Sequence, residues 1–204
     1  MAKLLVYLHV AVKQRAFQSL LSAGLPGVAA TAVGRAADFE RALQDAPDAV
    51  LTLPVVLAAN GLTAALRGFA RGSAEERYAL VGAGSPPEAG KVASVGALDL
   101  LGRDGTNKFV RRLVGQQARV ERVTKIEDLL PLLQVQRVEA VLLPARLVGD
   151  LRAASRLALA GRDLEQTVAL PAVANSGPGG AAVLAALSKM PKDLSKLLGV
   201  EEWR

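Results

Sequence analysis

The sequence predicts an α/β protein made of two doubly wound α/β lobes joined by a two-segment hinge. Three observations carry that expectation. The order strand, helix, strand, helix, strand is written twice at nearly the same lengths, first from Lys3 and again from Lys91. The third strands share wording, Asp48-Ala-Val-Leu-Thr-Leu-Pro54 against Glu139-Ala-Val-Leu-Leu-Pro144. Finally, hydrophobic residues make up 51% of the chain but aromatics only 3%. A core of Leu, Val and Ala suits helices laid on buried parallel strands.

Taken in order, Lys3 to Val10 is an apolar run of strand length. Val12 to Ala23 places Val12, Ala16, Leu20 and Ala23 on one helical face, with Gly24 as the stop. Val28 to Val33 reads as a second strand. Ala36 to Ala46 follows as a helix with Phe39 and Leu43 in i,i+4 register, and Asp48 to Leu53 is a third strand closed by Pro54. The second pass runs through a strand at Lys91–Ala97, a helix at Asp104–Val114 ended by Gly115, and an alternating strand at Ala118–Val123. Thr124 and Glu127 then have the spacing of a capping box for a helix over Lys125–Gln134, and Val138–Leu143 closes the unit before Pro144. Two further extended segments, Arg77–Ala83 and Thr167–Ala174, read as the hinge crossings, the first followed by the breaker-rich Gly84-Ser85-Pro86-Pro87. The expected division is residues 1–84 plus 168–204 for lobe one and 85–167 for lobe two. Helices over Gly179–Met190 and Pro191–Leu198 complete the chain.

Composition narrows the chemistry. The absence of cysteine removes disulfides, thiolate metal sites, iron–sulfur clusters and thiol nucleophiles. A single histidine, His9, rules out a multi-histidine metal site. The net charge of +6 is scattered, with no basic run longer than Arg111-Arg112 and few aromatics to stack bases. The expectation is therefore no nucleic-acid partner, and a basic surface that attracts anions at long range. No segment approaches the apolar length of a membrane span, and Met1–Ala11 reads as a first strand without a cleavage site. The chain is then cytoplasmic, or periplasmic if a signal peptide has been removed.

The helix Ala37-Asp38-Phe39-Glu40-Arg41-Ala42-Leu43 with Pro47-Asp48-Ala49-Val50 after it resembles the type 2 periplasmic-binding-protein class. So does the passage from Lys91-Val92-Ala93-Ser94-Val95-Gly96 to Leu101-Gly102-Arg103-Asp104-Gly105-Thr106, and so does the tail from Gly179 to Trp203. The order of these segments, more than any single motif, carries the resemblance. Its wording is most similar to the phosphate/phosphonate-type solute-binding components of ABC transporters. The resemblance implies non-catalytic capture of a small anionic or polar ligand in a cleft between hinged lobes, with an ABC permease as partner and no cofactor or metal. The chain departs from the class in being short and poor in aromatics, so a two-lobed scaffold or sensor that has lost its ligand is the alternative.

In doubly wound sheets ligands lie beyond the carboxyl ends of strands, near helix N-termini. Six residues are candidates on that rule. Arg103, Thr106 and Asn107 lie in the Gly-containing turn into the second lobe's first helix, where Arg103 can pair with an oxyanion and the others can hydrogen-bond. The same residues also read as a plain turn with Asp104 as N-cap. His9 and Thr52 end the first and third strands of lobe one, and each also reads as an ordinary structural residue. Ser176, in Asn175-Ser176-Gly177-Pro178-Gly179-Gly180, belongs to a loop that is either an anion nest or a helix-entry turn. No carboxylate pair stands out for acid–base catalysis, so the expectation is that the chain is not an enzyme.

Overall fold

The structure, a computed structural model, describes residues 1–204. It divides into two compact units, Met1–Glu75 with Ala169–Arg204, and Glu76–Val168.

The first unit is built from β1 (Ala2–Tyr7), α1 (Gln14–Gly24), β2 (Val28–Val33), α2 (Ala36–Leu43), β3 (Ala49–Thr52), α3 (Pro54–Ala59) and β4 (Ala64–Phe69). The second contains β5 (Glu75–Ala83), β6 (Ser94–Leu98), α4 (Gly102–Val114), β7 (Arg119–Val123), α5 (Leu129–Gln134), β8 (Ala140–Pro144), α6 (Val148–Ala154) and β9 (Leu159–Ala169). The chain then returns to the first unit through β10 (Ala172–Asn175), α7 (Gly180–Leu187), α8 (Lys192–Leu198) and β11 (Glu202–Trp203).

The doubled unit is real. In the first sheet, ordered β11-β4-β10-β3-β1-β2, β1 lies parallel between β2 and β3. In the second, ordered β7-β6-β8-β5-β9, β6 lies parallel between β7 and β8. Each third strand then meets an antiparallel neighbour, β10 beside β3 and β5 beside β8. Helices cover both faces in each unit. Leu4 and Val6 of β1 point into a core with Phe17 and Leu21 of α1, Val183 and Leu187 of α7, and Leu194 and Leu198 of α8. On the opposite face Tyr7 stacks on Phe39 of α2, with ring centroids 4.9 Å apart. In the second unit Tyr78 and Leu80 pack with α4, whereas Ala79 and Val81 pack with α5 and α6. This alternation follows from the two-residue period of a strand.

Four expectations change. The buried face of α1 is Phe17 and Leu21, whereas Ala16, Leu20 and Ala23, expected together on one apolar face, are exposed. The segment Thr167–Ala174 is two strands, not one. Pro171, which has no N–H for a ladder, separates β9 in the second sheet from β10 in the first. The strand at Arg77–Ala83 pairs with β8 and is an integral member of the second sheet. The unit boundaries therefore fall at Glu75/Glu76 and Val168/Ala169, the first at the start of β5 where the sequence suggested its end. The helix expected over Lys125–Gln134 is a short 3-10 turn, Ile126–Asp128, followed by α5, and no side-chain cap is formed there. Pro131 supplies no N–H to a continuous helix, but it is tolerated in the first turn of α5.

Candidate ligand site at the carboxyl edge of the second sheet

Strands β6 and β8 run parallel and end at one edge of the second sheet, with Asp99 just past β6 and Pro144 the last residue of β8. The turn that leaves β6 is braced from within. Thr106, fully buried in α4, accepts hydrogen bonds from the N–H groups of Leu100 (3.0 Å) and Leu101 (2.9 Å). Its hydroxyl donates to Asp99 Oδ1 at 2.8 Å, and Arg122, at the end of β7, holds Asp99 Oδ2 at 2.7 Å. Gly102 takes φ +67°, which glycine adopts without the steric cost other residues meet. The expected Asp104 cap is absent; the helix begins after Leu101 with no side-chain cap. Thr106 serves the preceding backbone instead.

This brace leaves Arg103 exposed on the first turn of α4, and Asn107 one turn further on the same helical face. Asn107 is half-buried, and its Oδ1 is enclosed without a hydrogen-bond partner. A second enclosed acceptor lies on β5. Glu76 pairs through Oε2 with Arg146 Nε at 2.9 Å, while its Oε1 is buried and unpartnered. Burial pushes the Glu76 carboxyl above the usual range even though Arg146 opposes the shift. Burial also raises the Tyr78 phenol, and Glu76 adds to the effect. Sequence reading passed over Glu76 and Arg146. The signal was available: Glu76 has the same strand parity as the core residues Tyr78 and Leu80, so a carboxylate was being placed in register with a buried face.

The first unit offers less. His9 follows β1, is half-buried, and meets the Tyr7 ring edge-on at 5.6 Å. Thr52 ends β3 with no exposed surface, and its hydroxyl donates to the Tyr7 carbonyl at 2.7 Å. Its hydroxyl thus ties β3 to β1 rather than facing a ligand. Ser176 lies at the other edge of the sheet. Asn175 is in register with Ala49 at the start of β3, while Ala172 is in register with Thr52 at its end. Ser176 donates to the Pro47 carbonyl at 2.6 Å, and the Asp48 carboxylate accepts from the N–H groups of Lys3 and Gly179, both at 2.8 Å. The glycines are required by this closeness: a Cβ on Gly179 would fall 2.7 Å from Asp48 Cγ. The loop is thus a helix-entry staple around Asp48, and Ser176 cannot join His9 and Thr52 in one site. These two N–H donors hold Asp48 below the usual carboxylate range, Lys3 first and Gly179 second.

Paired α/β units with a 2-1-3 parallel core, each extended by an antiparallel strand and joined by two crossings, define the two-lobed type 2 periplasmic-binding-protein-like fold. Solved structures bear this out. The VFT2 domain of BvgS from Bordetella pertussis, as a double mutant, aligns with a TM-score of 0.63 at 15% identity, covering 97% of this chain and 91% of that one. The GluR0 ligand-binding core in complex with L-glutamate aligns at 0.61 and 15% identity, over 98% and 97%. The amino acid ABC transporter substrate-binding protein AbpA from Streptococcus pneumoniae, bound to L-arginine, aligns at 0.59 and 14% identity, over 97% and 93%. No protein-family model and no curated protein matches the chain.

Proposed function

We propose that this chain is a non-catalytic solute-binding protein that takes a small polar ligand with an anionic group, handing it to an ABC permease. The observation that carries the reading is the braced β6–α4 turn, in which buried Thr106 fixes the backbone while Arg103 stays exposed beside it. A fixed turn with an open guanidinium suits an oxyanion, because Arg recognises carboxylate and phosphate oxygens in a bidentate fork. The enclosed acceptors Asn107 Oδ1 and Glu76 Oε1 ask for donors in return. A ligand offering both an oxyanion and an N–H or O–H group answers both demands. Amino acids, the ligands named for GluR0 and AbpA, meet that description, as do hydroxy acids and aminophosphonates. Inorganic phosphate meets the first half.

Thermal unfolding with a panel of phosphate, phosphonates, sulfate, small organic acids, L-glutamate and L-arginine tests this. A ligand present at a hundred times its Kd stabilises the fold by about 2.7 kcal/mol, a readily measured rise in Tm. Arg103→Ala should abolish that rise for the responding compound, and retention of the full rise would remove Arg103 from the site. A flat panel would favour the alternative of a scaffold or sensor without ligand. The inward-turned hydroxyls of Thr52 and Thr106 are the features that suit it.

A further inference from the structure

The second unit holds a cavity of about 510 Å³ on the sheet face opposite α4, separate from the braced turn. Its floor is apolar, from Ala79 of β5, Ala145 after β8 and Val148 at the start of α6. Ala79 and Val148 belong to the cluster packed with α5 and α6, not to the one beneath α4. The only charged lining residues are one of each sign, Arg152 and Asp163, both exposed. Neither has an ion-pair partner.

Two glycines shape the space. Gly161 on β9 has no side chain to fill it, and the Arg152 guanidinium lies 3.5 Å from where its Cβ would be. Gly149, in the first turn of α6, leaves its side open, with nothing within 4 Å of an added Cβ. Asp163 follows Gly161 by two positions, so it points to the same side of β9, about 7 Å further along the strand. The two opposite charges therefore flank one apolar-floored hollow without meeting. An α-amino acid, with a carboxylate and an ammonium on one carbon, offers each of these side chains an opposite charge.

We propose that this cavity is a second binding site, for a small zwitterion of the α-amino acid type whose aliphatic side chain rests on Ala79, Ala145 and Val148. Arg152 takes the carboxylate and Asp163 the ammonium. The site is independent of the braced turn and of whatever ligand that turn receives.

The test is a ¹H–¹⁵N NMR titration of the full chain with L-valine, and with isovalerate and isobutylamine, which each lack one charge. The amides of Gly149 and Gly161 should shift saturably with L-valine in the millimolar range. Arg152→Ala and Asp163→Asn should each weaken this response about fivefold, the scale of an exposed ion pair, and each one-charge analogue should be weaker by a similar factor. Both residues are at the surface, so the variants are expected to keep the wild-type spectrum elsewhere. Arg103→Ala should leave the L-valine response at the two glycines unchanged, whether or not the thermal panel finds a ligand for the braced turn. Three results would overturn the proposal: no saturable shift of the two glycines, an undiminished shift in the Arg152→Ala, Asp163→Asn double variant, or isovalerate matching L-valine.

Discussion

Replacing Thr106 by valine preserves volume and β-branching but deletes the hydroxyl that organises the β6–α4 turn. Two backbone N–H groups, those of Leu100 and Leu101, lose their acceptor, and Asp99 Oδ1 loses a donor while Oδ2 keeps Arg122. The side chain has no exposed surface, and the Leu100 bond is buried, so water cannot readily replace the oxygen. A buried donor left unsatisfied costs about 1–3 kcal/mol, and a part-buried one loses closer to the net value of about 1 kcal/mol. The sum is about 2–4 kcal/mol, a large fraction of the roughly 5–15 kcal/mol that holds a typical domain. Thr106→Ser is the matched control. It keeps the oxygen and gives up a methyl group, for about 1 kcal/mol. Urea unfolding monitored by circular dichroism, with midpoint and slope fitted together, measures both. If Thr106→Val comes within about 1 kcal/mol of Thr106→Ser, the hydroxyl does not brace the turn. Arg103 would then stand on a turn that the hydroxyl does not fix.

Two pH dependences follow from the carboxylates. Asp48 is held below its ordinary value of 3.8, so its contribution is complete above that pH and is lost as the pH falls through the lower folded value. Asp48→Asn, which can accept at only one side-chain oxygen, should be less stable at neutral pH and should flatten this acid limb of the Tm curve. Glu76 has the opposite sign. Its folded value lies above the ordinary 4.5, so the folded state binds the proton more tightly and stability declines as pH rises from 4.5 through the folded value. Glu76→Gln should remove that decline, and an unchanged Tm profile between mildly acid and neutral pH would show that Glu76 is not enclosed as described.

The architecture was legible because it is written in patterns that local physics enforces. Buried parallel strands must be apolar throughout, so Leu4 to Tyr7, Ala49 to Thr52 and Ala140 to Pro144 stand out. The elements that escaped notice lack such a signature. β11 has only two residues, and β4 contains Gly68, whose Cβ would fall 2.6 Å from Val200 Cγ2. β10 is separated from β9 by only two residues, Leu170 and Pro171. The site was less legible for a different reason. Residue type and nearness to a strand end do not reveal which way a hydroxyl turns, and that direction decides between brace and ligand contact. Thr52, Thr106 and Ser176 were all selected as polar residues beside loops, and all three donate to the protein's own oxygens.

The same fact accounts for the difference between the two halves. The repeat fixes strand order and parallel register in both units, but the residues closing each carboxyl edge are not repeated. In the first unit Thr52 joins β3 to β1 through the Tyr7 carbonyl, a bond between two strands that leaves no charge exposed. In the second, the bracing hydroxyl comes from the helix, and it holds a turn that carries Arg103 outward. A bond from helix to turn fixes a loop in position, whereas a bond from strand to strand only strengthens the sheet. On the function proposed above, selectivity for a charged solute would reside in the second unit. Exchanging Thr52 for valine should lower stability with little change in any ligand's affinity, while Thr106→Val should lower both.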